Sequence, residues 1–250
     1  RSIRILKKTF GGKMLSEITP FIVEKYKQEL LKRLMPATIN RYLACIQSMF
    51  NKAVAWERFS GSNPVAKVRK LKENNARTRF LEADEIKRLL DNCVEHLRVI
   101  VIVAVSTGMR KGEILSLTWD SIDFERGFIY LTKTKNGERR EVPLSEHVKR
   151  QLMAYPRHAT SPYVFCNADG NHLKWVGASF KTALEKAKIS NFRFHDLRHT
   201  CASHLVMSGA ELNTVREILG HKSMQMTMRY SHLTADHKKQ AVHLLSRRFD

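Results

Sequence analysis

Acidic side chains are scarce in this sequence. Against 44 Lys and Arg stand 24 Asp and Glu, a formal net charge of +20 over 250 residues. Such an imbalance narrows the partners to polyanions. Nucleic acid leads, and a ribosomal or anionic-membrane surface is the plainer alternative. The shortage of carboxylates also excludes common metal architectures. There is no His-Glu-x-x-His and no Asp cluster suited to magnesium, so no metal and no other cofactor is expected. Cysteine is sparse as well. Cys45, Cys93, Cys166 and Cys201 lie far apart and no pair has zinc-ligand or redox spacing, which reads as reduced thiols in a cytoplasmic protein. Apolar runs of about 18 residues are missing, so no membrane span is expected. The longest, Val99 to Val105, suits a buried helix. The opening RSIRILKK has neither Met nor a signal-peptide pattern, and the expectation is a chain that starts inside a longer protein. Internal repeats and low-complexity tracts are absent.

What is present is 43% hydrophobic residues, enough for one large or two modest cores. The charge is uneven. Residues 1–75 hold 16 Lys/Arg against 5 Asp/Glu (+11), and residues 76–250 hold 28 against 19 (+9). The first third is the denser patch, suited to gripping phosphates. Thr19-Pro20 is a helix start, followed by apolar Phe21, Val23, Tyr26, Leu30, Leu31 and Leu34. A second helix starts near Ala37 or Thr38, with Ile39, Leu43, Ile46, Phe50 and Val54 on a near-3.6 period. Arg41 and Lys52 fall off that stripe. The polar stretch Lys67 to Arg79 reads as a linker. Beyond it, helices are expected over Glu82–Cys93, Leu97–Ser106, 145–153, 176–187, 196–208, 211–219 and 223–230. β-rich segments around Phe128–Leu131 and Val142 flank Lys135-Asn136-Gly137, a strong hairpin signal. The fold class is mainly α with a small antiparallel β-sheet, in two domains at 1–75 and 76–250.

Several side chains invite a chemical reading. In TGMRKGEIL, Arg110 and Glu113 sit one helical step apart, so the carboxylate can hold the guanidinium; a surface ion pair is the ordinary reading. In HDLRHT, His195 and Arg198 share a helical face and can reach one anion. His221 follows Gly220 in LGHKS, where a packing histidine is ordinary. Lys135 stands at the hairpin tip, and Tyr230 lies in MRYSHLT.

Singly these are weak signals. In their order, Arg, Lys on a hairpin, His-x-x-Arg, Gly-His and Tyr, the chain resembles the tyrosine recombinase (phage integrase) family over almost its whole length. The resemblance implies that residues 1–75 are a SAM-like helical core-binding domain that lacks its first helices, and that 76–250 are the catalytic domain. It implies a catalytic set of Arg110, Lys135, His195, Arg198 and His221, with Tyr230 as nucleophile and Glu113 in support. The implied reaction is site-specific cleavage and rejoining of double-stranded DNA through a 3′-phosphotyrosine, without metal or ATP. In that reaction His195 is a proton acceptor and Lys135 the general acid. Arg41 and Lys52, with Gln47, are the expected DNA contacts of the second helix. The resemblance further implies a homotetramer on DNA whose apolar tail patch (Ala241, Val242, Leu244, Leu245) docks in trans, in a prokaryotic or phage-encoded cytoplasmic protein. A type IB topoisomerase-like enzyme and a catalytically silent, architectural DNA-binding protein stand as alternatives.

Overall fold

The computed structural model describes residues 2–73, 79–131 and 139–234. Two compact units emerge, Arg1–Ala76 and Arg77–Asp250. Both are mostly helical, and the second carries one three-stranded antiparallel sheet.

In the first unit, α1 (Ser2–Phe10), α2 (Pro20–Leu31) and α3 (Pro36–Ala55) close on a core of Leu6, Val23, Leu30, Ile39, Leu43, Ile46 and Phe50. The opening RSIRILKKTFGG thus contributes a helix of its own. Thr19 caps α2, its hydroxyl accepting from the Ile22 amide at 3.4 Å, and Pro20 occupies the first turn, where its missing N–H costs nothing. The apolar pattern overstates the core. Phe21 is 76% and Val54 44% exposed. Both lie at helix ends, past the arc that faces neighbouring helices. Lys27, conversely, is buried because its stem packs inward while its ammonium reaches Arg69 O at 3.0 Å and Glu24 at 2.8 Å.

The expected linker at Lys67 to Arg79 is shorter than its polarity suggests. Val68 is buried. Asn40 donates to Leu71 O at 2.8 Å and to Glu73 Oε1 at 2.7 Å, and accepts from the Leu71 amide at 2.9 Å. These bonds bind the segment through Glu73 to the first unit. At the other end Arg79 pairs with Glu85 at 2.6 Å, and His204 meets Leu81 O at 2.8 Å within the second unit.

The second unit is built around α5 (Glu95–Thr107), whose EHLRVIVIVAVST is apolar on nearly every face because it is enclosed on nearly every face. α4 (Ala83–Asp91), α7 (Glu146–Met153), α8 (Gly177–Lys186) and α9 (Asp196–Met207) contribute to this fold. Strands β1 (Ile122–Asp123), β2 (Phe128–Leu131) and β3 (Arg140–Pro143) run in sequence order. Ile129 stands opposite Val142 and Leu131 opposite Arg140. Ile129 and Val142 send their side chains into the core. Lys135 and the hairpin tip lie outside the described residues, as does the tail patch from Ala241.

Three short elements complete the site: α6 (Lys111–Leu115), α10 (Leu212–Leu219) and α11 (Met224–Thr227). The helix expected over 223–230 changes character at Met228, where a 3-10 helix, Met228–Thr234, takes over. Among the described residues no helix is long and apolar enough to cross a membrane.

Candidate active site

Two glycines prepare the site. Gly108 ends α5 and Gly220 ends α10, each in the left-handed region at φ 61° and 63°. A Cβ on Gly108 would sit 2.3 Å from Leu219 Cδ2, and one on Gly220 would sit 2.6 Å from Arg140 Nη1. Both positions therefore need glycine for space as well as for φ. The carbonyls freed at these helix ends carry the negative pole of the helix dipole, and they hold cations.

Arg198, on α9, is 4% exposed. It donates through Nη1 to Gly108 O at 2.6 Å and through Nη2 to Leu219 O at 2.5 Å. Arg110 precedes α6 and donates to Gly220 O at 3.3 Å and to Glu113 Oε1 at 2.8 Å. Its own amide donates to Glu113 Oε2 at 2.9 Å, so the carboxylate caps α6 while it holds the guanidinium. A third arginine, absent from the expected set, completes the group. Arg140 of β3 donates to Glu113 Oε2 at 2.9 Å and to Leu219 O. Its Nε is buried with no protein partner.

Three guanidinium groups thus share one carboxylate and the C-terminal carbonyls of two helices. The charge does not balance. Burial pushes Arg198 down to about 10, with Arg110 and Arg140 repelling it further. Burial also lowers Arg140, against the pull of Glu113. Arg140 and Arg198 nonetheless remain charged at neutral pH. An anion entering here would relieve repulsion that the protein alone leaves standing.

The imidazoles lie beside this cluster. His195 is exposed at the start of α9, and its ring meets His199 edge-on with centroids 5.4 Å apart. Burial, then Arg198, lowers its pKa. His221, directly after Gly220, bonds Thr227 Oγ1 through Nδ1 at 2.8 Å. It is held down to about 3 by burial and by Arg198 and Arg110, and so is neutral near pH 7.

Tyr230 is 2% exposed and packs with Ala202, Val206, Val215 and Leu219. Its hydroxyl lies 2.5 Å from His199 Nδ1. Burial lifts the phenol to about 12, against the opposing pull of Arg229 and Arg198. The expected proton acceptor was His195; the phenol's hydrogen bond goes to His199 instead. A signal for His199 was present, because positions 195, 198 and 199 lie within one helical turn. Arg140 had no such signal, since its partners are distant in sequence.

In the first unit, Arg41 and Lys52 stand exposed on α3, Lys52 lying 5.9 Å from the centre of the Trp56 ring. Among the described residues no group of three or more His, Cys, Asp and Glu side chains is placed to hold a metal ion.

A cationic, anion-seeking pocket beside a hydrogen-bonded tyrosine defines the class of site. Comparisons with known proteins define the family. The "Phage integrase family" model matches residues 79–237, and the "Phage integrase, N-terminal domain" model matches residues 1–72. The chain belongs to the phage integrase family. It is 35% identical over 238 residues to the shufflon-specific DNA recombinase of Escherichia coli, covering 88% of this chain and 59% of that protein. It is 30% identical to a putative integrase of Pseudomonas phage Pf1, covering 96% and 70%. Among solved structures, the Tn1549 transposon integrase in complex with circular intermediate DNA shares the fold at TM-score 0.79 and 20% identity, covering 98% of this chain and 91% of that one. The catalytic domain of bacteriophage HP1 integrase matches at TM-score 0.54 and 33% identity, covering 66% and 93%.

Proposed function

We propose that this chain is the DNA-cleaving and rejoining part of a site-specific recombinase, acting on double-stranded DNA through a covalent 3′-phosphotyrosine at Tyr230. The observation that carries the reading is the unbalanced triad of Arg110, Arg140 and Arg198 at the end of α10, with the Tyr230 phenol in the same site. The Escherichia coli relative, named as a DNA recombinase, and the fold shared with a DNA-bound transposon integrase support it.

The chemistry follows from the groups present. Attack on a phosphodiester builds negative charge on the non-bridging oxygens. Arg110 and Arg198 offer planar forks for those oxygens, preset by carbonyls and Glu113 so that little reorganisation is needed as charge develops. Neutral His221 and exposed His195 add hydrogen bonds. At a pKa of about 12 the phenol is a weak nucleophile, and ionising it at neutral pH costs roughly 7 kcal/mol. The cations offset that cost once the ring stands at the phosphate, with His195 as proton acceptor. The 5′-oxygen leaves as a hydroxyl with a proton from Lys135, and the reverse attack by a 5′-hydroxyl rejoins the strand. The phosphotyrosine conserves the bond energy, so neither metal nor ATP enters the reading.

Residues 1–75 serve as the core-binding domain and 76–250 as the catalytic domain, with Arg41 and Lys52 on phosphates or base edges. The working form is a homotetramer on DNA with the tail docking in trans, in a prokaryotic cytoplasm.

The test is a nicked suicide duplex carrying a selected binding site. The protein forms an adduct that survives denaturation, and Tyr230→Phe abolishes it while duplex binding stays within about twofold, because one buried hydroxyl contributes little to binding a whole duplex. An adduct that persists in Tyr230→Phe places the nucleophile elsewhere. Binding without any adduct in the native protein favours the architectural reading.

A further inference from the structure

Strand β3 alternates its side chains. Arg139 and Glu141 are exposed, and Val142 enters the core. Arg140 shares the face of Val142, where a side chain of this charge carries a large desolvation cost. Specific partners hold the cation there. Nη1 donates to Leu219 O, Nη2 donates to Glu113 Oε2 at 2.9 Å, and Nε is buried with no protein partner. Its donor nitrogens thus face inward. Arg110 and Glu113, by contrast, line a cleft of about 590 Å³, and the Arg110 side chain is 27% exposed against 10% for Arg140. We propose that Arg140 is a positioning residue for strand cleavage: it occupies the second oxygen of Glu113 and the end of α10, and so keeps Glu113 from pairing Arg110 through both oxygens. Arg140 acts without touching DNA itself. This role rests on the recombinase reading of the site.

The hydrogen bonds show what Arg140 prevents. Arg110 holds Glu113 through Nη1 to Oε1 at 2.8 Å, while its Nη2 donates to Gly220 O at the longer distance of 3.3 Å. Without Arg140, Oε2 keeps only the Arg110 amide, at 2.9 Å. A carboxylate oxygen with a spare lone pair beside a guanidinium closes into the two-bond fork, the strongest geometry for such a pair. Nη2 then leaves Gly220 O for Glu113, and Arg110 is neutralised within the protein. The formal count moves the same way. Three guanidinium groups less one carboxylate leave +2 in the cluster, and the loss of Arg140 leaves +1. Burial lowers the Arg140 pKa, Glu113 raises it and Arg110 lowers it again, so the three groups act on one another. Leu219 O also loses one of its two guanidinium donors, Arg198 Nη2 remaining at 2.5 Å.

The role is tested by a double-mutant cycle of Arg140→Met and Glu113→Gln with two readouts. One is the single-turnover rate of covalent adduct formation on the suicide duplex. The other, taken without DNA, is the rise in melting temperature that inorganic phosphate brings. Arg140→Met slows adduct formation by about 10- to 10²-fold and shrinks the phosphate-induced rise. Glu113→Gln slows the native protein, through loss of its hold on Arg110. In the Arg140→Met background the same change speeds adduct formation by about fivefold or more, because removing the carboxylate frees Arg110. The phosphate-induced rise recovers with it. A merely structural arginine gives the opposite sign, since the second change weakens further buried hydrogen bonds and adds to the damage. If Arg140→Met lacks cooperative melting, Arg140→Gln, which removes the charge and keeps a donor for Leu219 O, takes its place under the same criteria. Losses that add, or a folded Arg140→Met that cleaves at the native rate, overturn the proposal. Absence of adduct in the native protein defeats the recombinase reading instead, and the phosphate-induced rise across the same four proteins still decides whether Arg140 keeps Glu113 off Arg110.

Discussion

The two units use cations in opposite ways. In the first, the positive charge is dense and wet: Arg41 and Lys52 stand exposed on α3, and no histidine occurs among residues 1–76. In the second, three arginines are drawn into the protein and fixed by helix-terminal carbonyls and Glu113, with all 11 histidines of the chain in the same unit. A solvated cation contributes attraction that is long-ranged, adaptable and screened by salt. A desolvated guanidinium contributes a fixed direction, at a cost of several kcal/mol unless its donors are met. Gripping a phosphate backbone needs the first kind, whereas stabilising one developing charge at one atom needs the second.

The largest consequence falls on the buried side. Arg198→Ala is expected to slow adduct formation by about 10²- to 10³-fold, as removal of a preset charge-stabilising donor does elsewhere. The loss appears in the single-turnover rate and not in duplex affinity. The same change leaves Gly108 O without its guanidinium donor, so a stability loss of about 1–3 kcal/mol accompanies it; thermal melting reads that part separately.

The next consequence separates the units by pH. His199 and His221 are held near 4 and near 3 in the fold, against about 6.5 when unfolded. Between those limits the unfolded chain binds more protons, so stability falls as pH drops below about 6.5 and rises on the way back. Melting of the second unit should shift to lower temperature from pH 7 to pH 4, while a histidine-free first unit lacks this contribution. His221→Gln should flatten the slope. An unchanged slope would mean that His221 is not buried in neutral form.

The smallest effect belongs to the exposed cations. Arg41→Ala or Lys52→Ala should each lower the salt slope of duplex binding by about 1 and leave cleavage of bound DNA within about twofold. A change in cleavage rate at saturating DNA would erase the contrast between the units.

The fold was legible where local rules dominate. A 3.6-period stripe marked α3, the Thr-Pro pair marked the start of α2, and Asn-Gly between β-rich runs marked the strand pair. Legibility failed where tertiary partners decide. Val54 continues the stripe but runs past its neighbours, and residues 68–73 look like linker until Asn40 claims their backbone. The grouping of Arg110, Glu113 and Arg198 follows spacing and family order. Arg140 does not, because its place is set by strand register and by the end of α10, far along the chain. His199 was overlooked beside its neighbour Arg198, although the same turn of α9 carries both.

The central claim is that buried guanidinium groups neutralise charge on the scissile phosphate. Its most direct measurement is a paired cleavage assay with Arg198→Ala on two suicide duplexes, one with an ordinary scissile phosphate and one with a neutral methylphosphonate there. The loss of about 10²-fold or more on the phosphate is expected to shrink to a few-fold on the methylphosphonate, since the charge that Arg198 serves is gone. An equal loss on both duplexes would contradict it.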